Sequence, residues 1–80
     1  MSKTEEYDFE PLSIGSTGAI VLMVQKTLKS LGYELDTNGV FDESTDNVLR
    51  SFQENLGIVP NGILDAITMM KLDEMFLLPH

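Results

Sequence analysis

One motif occurs twice in this 80-residue chain, and its two copies begin at Asn38 and Asn61. The first copy reads Asn-Gly-Val-Phe-Asp over residues 38–42, and the second reads Asn-Gly-Ile-Leu-Asp over residues 61–65. In both copies a threonine and then a leucine follow the aspartate at helical spacing. Asn-Gly favours a tight turn, and an aspartate after an apolar pair favours a helix N-cap. The repeat therefore predicts two turns that each lead into a helix, although a stacked solenoid would need about three copies or more.

Apolar spacing predicts the first two helices. The first spans Ala19–Leu31, because apolar residues recur every three or four positions along one face: Val21, Val24, Leu28 and Leu31. Gly32 is expected to end this helix. The second spans Glu43–Leu56, with Asp42 as its N-cap and Gly57 after its end, and it is expected to bury Val48, Leu49 and Phe52.

A third helix is predicted to begin after Asp65 and to run close to the C-terminus. We expect it to turn five apolar residues inward: Ile67, Met70, Leu72, Met75 and Phe76. The predicted fold class is therefore all-α, a compact three-helix bundle with two repeated Asn-Gly turn-helix units, and any strands should be very short. The chain divides into an acidic N-terminal arm (1–11), a three-helix domain (12–76) and a C-terminal tail (77–80).

Composition limits what can stabilise this domain and what it can bind. The chain has no cysteine, so hydrophobic packing must hold a small core without disulfides. Thirteen acidic residues against five basic ones give a net charge of −8, which opposes binding to nucleic acid and weakens approach to any anionic polymer. The sequence shows no membrane span and no secretory signal. Synthesis in the cytoplasm without export is one reading; a role outside the cell would need a larger parent protein, a signal removed earlier or release by lysis.

Several further motifs keep a fixed order and spacing around the repeat. A glycine loop over residues 12–18 leads into the first helix, Leu31-Gly32-Tyr33 closes it, and Phe52-Gln53 lies near the end of the second helix. Over about residues 12–76 this pattern resembles the small three-helix peptidoglycan-binding domain found in cell-wall hydrolases, spore cortex enzymes and phage endolysins. The chain departs from that family in its two Asn-Gly pairs, where Asp-Gly is usual, and in Asp42 and Asp65, where glycine is frequent.

The resemblance implies noncatalytic binding of peptidoglycan, through its glycan or stem peptide, and targeting of an attached or associated wall hydrolase. It implies a location at the cell wall or outside the cell and no cofactor. Metalloprotease propeptides share the fold but use a cysteine to occupy the catalytic zinc, and this chain has none. Their inhibitory role is therefore excluded in its usual form.

A ligand groove in such a domain should lie at the loops, where five residues are candidates: Tyr33, Asn38, Arg50, Gln53 and Asn61. Each also has a structural interpretation. Tyr33 can stack on a sugar or cap the core, and the two asparagines can serve turn geometry. Arg50 can meet a stem-peptide carboxylate or pair with Asp46 one helical turn earlier. Gln53 can bind ligand or a backbone group.

The alternative function is protein–protein interaction or assembly on the same fold. Five apolar residues at unexpected positions are the candidate interface: Ile20, Leu22, Met23, Phe76 and Leu77. The competing interpretation is that Ile20 and Met23 extend the core beneath the N-terminal arm, where Tyr7 and Phe9 must pack.

Catalysis and metal binding find little support in the sequence. The single histidine, His80, is the last residue, and Asp42 and Asp65 are better explained as N-caps than as paired glycosidase carboxylates. Asp36, Asn38 and Asp42 have the spacing that opens a calcium loop, but the required glycine and glutamate downstream are misplaced. We therefore predict a binding module with no catalytic residue and no metal site.

Overall fold

Three helices form the domain in the computed structural model, which describes the backbone of residues 10–77 and the side chains of residues 10–75. The helices are α1 (Ala19–Ser30), α2 (Glu43–Asn55) and α3 (Ala66–Leu77). Within residues 10–77 there is no strand, only the isolated antiparallel bridges between Leu12 and Leu64 and between Thr17 and Val40. The predicted all-α, three-helix class is confirmed. Tyr7, Phe9 and most of the predicted N-terminal arm lie outside the described residues.

The helices begin and end close to their predicted positions. Asp42 caps α2 by accepting a hydrogen bond from the Thr45 backbone N–H at 3.1 Å, and Asp65 accepts one from the Thr68 N–H at 2.9 Å. Both aspartates thus satisfy backbone donors that would otherwise lack partners in the first turn. Helices α1 and α2 are each one residue shorter than predicted, because Leu31 and Leu56 are their C-caps.

The segment before α1 ties the two Asn-Gly turns together. Leu12 exchanges backbone hydrogen bonds of 3.1 and 2.7 Å with Leu64, beyond the second turn. Farther along, the Gly18 N–H donates to the Gly39 carbonyl at 3.0 Å, in the first turn. Both turns are therefore held by the short segment before α1 as well as by the helices they connect.

The core lies between the three helices and the two turns. Its buried apolar residues come from all of these elements: Val21, Val24, Leu28, Leu35, Phe41, Leu49, Phe52, Leu64 and Leu72. Half-buried residues pack around them, including Leu31, Val48 and Met69. Phe41 and Leu64 occupy the same position in the two copies of the motif, so each turn contributes one large apolar side chain to the core.

Helix α3 is rotated relative to the sequence-based prediction, which was wrong for three residues. Ile67 and Met70 are 59% and 52% exposed, and Met75 is also exposed. Leu72 is buried as predicted, whereas Thr68 and half-buried Met69 face inward where the exposed residues were expected. The side chain of Phe76 lies outside the described residues. The physical reason is polar: the Thr68 hydroxyl accepts a hydrogen bond from buried Gln53, and adjacent helical positions are about 100° apart around the axis, so residues 67 and 70 turn to solvent.

Candidate ligand-binding surface

A buried glutamine on α1 holds the first Asn-Gly turn. The Gln25 side chain is 0% exposed, and its Oε1 accepts a hydrogen bond from the Gly39 N–H at 2.8 Å. Its Nε2 donates to the Val40 carbonyl and to the Thr45 hydroxyl, both at 2.9 Å. One amide thereby connects α1, the turn and the first turn of α2. A buried amide without hydrogen-bond partners would raise the free energy of the folded state. The buried Gln25 amide therefore favours the turn conformation that supplies its partners.

Gln53 on α2 holds the second turn in the same way. Its Oε1 accepts from the Gly62 N–H at 3.0 Å, and its Nε2 donates to the Ile63 carbonyl at 3.0 Å and to the Thr68 hydroxyl at 3.1 Å. The side chain is 1% exposed. Because Gln53 is enclosed and its amide bonds within the turn and to α3, it lies outside the surface that can meet a ligand.

The sequence did not reveal the partnership between each glutamine and the threonine of the following helix. A threonine three residues after an N-cap aspartate can form hydrogen bonds within its own first helical turn. Thr45 does donate to Asp42 at 3.2 Å, yet its oxygen also accepts from Gln25. Two signals were present: a glutamine on the buried stripe of an otherwise apolar helix face, and a threonine repeated at the same place in both motifs.

An ion pair covers the second turn. Arg50 Nε donates to Asp46 Oδ2 at 3.0 Å, and its Nη1 donates to the Pro60 carbonyl at 3.1 Å. A Cβ atom at Gly62 would collide with the Asp46 carboxylate and lie 2.9 Å from Arg50 Nε. The pairing of Arg50 with Asp46 is therefore present, and the guanidinium is half-exposed above the turn with Nη2 unbonded among residues 10–75.

The two asparagines use their side-chain oxygens to shape the turns. Asn38 Oδ1 accepts from the Val40 N–H at 3.0 Å, and Asn61 Oδ1 accepts from the Ile63 N–H at 2.9 Å. Both residues are exposed, and within the described chain neither Nδ2 donates to another residue. Each turn thus offers an amide donor at the surface, and the second turn adds the Arg50 guanidinium beside it. Such donors suit carbonyl, hydroxyl and carboxylate oxygens.

Tyr33 links the end of the first helix to the second. Its ring packs edge-to-face on Phe52 with centroids 6.2 Å apart, and its hydroxyl accepts a hydrogen bond from Asn55 Nδ2 at 2.8 Å. The residue is half-buried. It therefore caps one end of the core while part of the side chain remains exposed.

Two residues of the candidate apolar interface on α1, Leu22 and Met23, line an open cleft. Ile20 and Met23 are exposed at 47% and 46%, and Leu22 is half-buried. A cleft of about 420 Å³ runs along this helix and reaches α3, lined by Ala19, Leu22, Met23, Lys26, Thr27, Ser30 and Asp73. The side chains of Phe76 and Leu77, the other two candidates, lie outside the described residues.

Other kinds of site are not evident in the part of the chain that the structure describes. No group of three or more histidine, cysteine or acidic side chains there is placed to hold a metal ion. None of its helices is long and apolar enough to cross a membrane. The described residues offer two turns with exposed donors and an apolar cleft beside α1.

Sequence comparison decides the family. Residues 17–72, which include both Asn-Gly turns, both buried glutamines and most of the three helices, match the peptidoglycan binding domain family. The chain belongs to that family. The two turns that Gln25 and Gln53 hold are therefore features of a peptidoglycan-binding domain. Binding is the activity for which the family is named.

Segments similar to this peptidoglycan-binding domain occur in proteins of different kinds. The chain is 38% identical over 58 residues to the carboxy-terminal processing protease CtpA of Bacillus subtilis, covering 72% of this chain and 12% of the protease. It superposes on a peptidoglycan-binding protein from Clostridioides difficile, solved with glutamine hydroxamate, with a TM-score of 0.82, 30% identity and coverage of 84% of this chain and 42% of the other.

The SleB N-terminal domain is similar over nearly all of its length. That comparison gives a TM-score of 0.82 and 31% identity, and it covers 88% of this chain and 97% of the SleB domain. The SleB domain was solved on its own, whereas this chain spans 12% of the CtpA protease and 42% of the Clostridioides difficile protein.

Proposed function

We propose that this domain binds cell-wall peptidoglycan without cleaving it and thereby holds an attached or associated wall hydrolase on its substrate. The observation that carries the proposal is the family match over residues 17–72. The names of the similar proteins, a processing protease and a peptidoglycan-binding protein among them, support a module that works beside other activities. The cell wall is the corresponding location.

The proposed contact surface consists of the exposed groups around the two turns: Tyr33, Asn38, Arg50 and Asn61. Peptidoglycan presents hydroxyl, acetamido and carboxylate oxygens, which the asparagine amides and the guanidinium can bind as donors. Arg50 is well placed for a carboxylate because two of its nitrogens are already fixed by Asp46 and the Pro60 carbonyl, so little side-chain entropy remains to be lost. The edge of Tyr33 offers an apolar contact for a sugar ring.

Affinity for one site should be modest, because the surface is open and an ion pair between a ligand and half-exposed Arg50 is weakened by water. Attachment to a larger protein makes such affinity sufficient. A tethered module raises the local concentration of its neighbour on a polymer, and several weak contacts along that polymer reinforce one another. The domain would contribute retention, and the chemistry would belong to the rest of the protein.

Catalysis by this domain is not part of the proposal. The two aspartates that might be imagined as a carboxylate pair are engaged at helix N-termini, where Asp42 accepts from Thr45 and Asp65 accepts from Thr68. Acid–base catalysis would require groups free to exchange protons with a substrate. Incubation of the purified domain with sacculi should therefore release no soluble muropeptides.

The deciding experiment is sedimentation of the purified chain with insoluble peptidoglycan, with and without teichoic acid, across a series of NaCl and MgCl₂ concentrations. We expect saturable retention, weakened by Arg50→Gln and Asn61→Ala. Teichoic acid should reduce retention at low salt, because the chain carries a net charge of −8, and magnesium should restore it. Asn47→Ala, on the exposed side of α2, is the matched control and should bind normally.

Absence of retention at every salt concentration, by a chain shown to be folded, would refute wall binding by the isolated domain. The second candidate function is then a protein interface on α1, favoured by the exposed Met23 and the cleft beside it. That function predicts self-association or heteromeric assembly that Met23→Lys abolishes, measured by light scattering after size exclusion.

A further inference from the structure

We propose that the cleft between α1 and α3 is a second binding site, specific for a short peptide that carries both a carboxylate and an ammonium group. This inference rests on the proposed function, because such a peptide is the chemistry of the peptidoglycan stem. It adds a site whose charged groups, Lys26 and Asp73, are not among the proposed contact residues at the two turns.

The cleft has dimensions that suit an extended peptide. Its volume of about 420 Å³ lies within the range of about 300–1,000 Å³ that is typical of small-ligand sites. Four of its lining residues, Ala19, Met23, Lys26 and Ser30, are spaced so that they form one stripe along α1. From first to last the stripe covers roughly 16 Å of helix, which equals about five residues of extended chain.

The cleft has an apolar floor, and the hydroxyl groups of Thr27 and Ser30 line it as hydrogen-bond acceptors. Ala19, Leu22 and Met23 provide methyl and methylene surface for small side chains such as alanine. Thr27 Oγ1 donates to the Met23 carbonyl at 2.9 Å, and Ser30 Oγ donates to the Thr27 carbonyl at 2.8 Å. Since each hydroxyl proton is used within the helix, the oxygen lone pairs are what remains for a ligand, and they suit peptide N–H groups.

The charged residues of the cleft favour a peptide that carries both a negative and a positive group. Lys26 on α1 and Asp73 on α3 line the same cleft, and among residues 10–75 the ion pairs are Arg50–Asp46 and Lys71–Glu74, so the two do not pair with each other. Helix α1 has two lysines and no acidic residue, whereas the whole chain carries a net charge of −8. A polyanion would meet long-range repulsion, but a peptide with a carboxylate at Lys26 and an ammonium at Asp73 meets complementary charge at both residues.

The test uses a synthetic tetrapeptide, L-alanyl-γ-D-glutamyl-meso-diaminopimelyl-D-alanine, titrated into ¹⁵N-labelled protein and followed by ¹H–¹⁵N correlation NMR. We expect shift changes concentrated along α1 from Ala19 to Ser30 and around Asp73. Lys26→Met and Asp73→Asn should each weaken binding roughly two- to fivefold, the effect of losing one solvent-exposed ion pair. Acetylating the diaminopimelate amine should weaken wild-type binding as Asp73→Asn does, and it should have no further effect on Asp73→Asn.

Lys71→Met is the matched control, because Lys71 lies on α3 outside the cleft and faces Glu74 at 3.9 Å. Its affinity for the tetrapeptide should equal that of the wild type. Shift changes confined to the two turns, unaltered by Lys26→Met and Asp73→Asn, would overturn the cleft proposal while wall binding stands. Concentration-dependent shifts in α1 without peptide, abolished by Met23→Lys, would also overturn it by assigning the cleft to a second copy of the chain.

Failure of the proposed function has a different signature. In that case neither the tetrapeptide nor a tetramer of N-acetylglucosamine perturbs any resonance, and the protein does not sediment with peptidoglycan. Retention on peptidoglycan without tetrapeptide binding refutes the cleft site alone. The two experiments therefore separate a wrong site from a wrong function.

Discussion

Gln25 and Thr45 are 20 positions apart in the sequence, yet their side chains meet in the interior through a 2.9 Å hydrogen bond from Nε2 to Oγ1. The same relationship joins Gln53 to Thr68 at 3.1 Å. In both cases the glutamine also binds the backbone of the intervening Asn-Gly turn. The internal repeat in the sequence is therefore accompanied by a repeated set of buried side-chain hydrogen bonds.

Gln25→Leu should destabilise the domain by about 2–4 kcal/mol, because it leaves the Gly39 N–H, the Val40 carbonyl and the Thr45 hydroxyl without their partner. Urea unfolding followed by circular dichroism measures the effect. Asn47→Ala, an exposed substitution on α2, should change stability by less than about 0.5 kcal/mol. The double variant Gln25→Leu/Thr45→Val should cost less than the sum of its single changes. Simple additivity would show that the hydrogen bond contributes no coupling.

Gly62→Ala should be more harmful than Gly39→Ala, although both glycines have positive φ, at +73° and +80°. The shared backbone strain costs about 1–2 kcal/mol in each variant. At Gly62 the new methyl group also meets Asp46 and Arg50, whereas at Gly39 the nearest atom is the Gly18 carbonyl oxygen at 3.4 Å. We expect an extra loss of about 1–3 kcal/mol in thermal or urea unfolding, partly relieved by Asp46→Ala. Equal losses would contradict this account.

Ile67→Ser should be tolerated, with a change in unfolding free energy below about 0.5 kcal/mol, because this side chain is 59% exposed. Met69→Ser should cost about 1–2 kcal/mol, since the methionine packs against the core. The difference between the two losses of stability shows which side of α3 faces the core. If the isoleucine substitution were the costlier of the two, the helix would face the core as its apolar spacing alone predicts.

Tyr33→Phe should separate the structural role of this residue from a role in binding. The change removes the hydrogen bond from Asn55 and keeps the ring on Phe52, so the loss of stability should be about 0.5–1 kcal/mol. Retention on peptidoglycan should persist. Tyr33→Ala removes the ring as well and should lower both stability and retention, and retention is therefore measured at a temperature where the variant remains folded. Unchanged retention by folded Tyr33→Ala would remove Tyr33 from the binding surface.

Local patterns in the sequence were sufficient for the helices and their caps. The first backbone N–H groups of a helix lack partners within the helix. Asp42 and Asp65 each accept a hydrogen bond from one such group three residues later, so the contact lies within four residues of chain. The same is true of the pairing between Arg50 and Asp46, which is set by the spacing of one helical turn. Interactions of this kind depend on distances along the chain, which the sequence states directly.

The sequence by itself therefore determined the three helices, their caps and the two turns, together with the family to which they belong. Only the tertiary structure decided which side of α3 is buried, which threonines the two glutamines bind, and that Lys26 and Asp73 line one cleft. Each of these joins elements far apart in the chain. Apolar spacing could not settle the orientation of α3, because apolar residues lie on more than one of its faces, and the buried amide of Gln53 required the Thr68 hydroxyl as its partner.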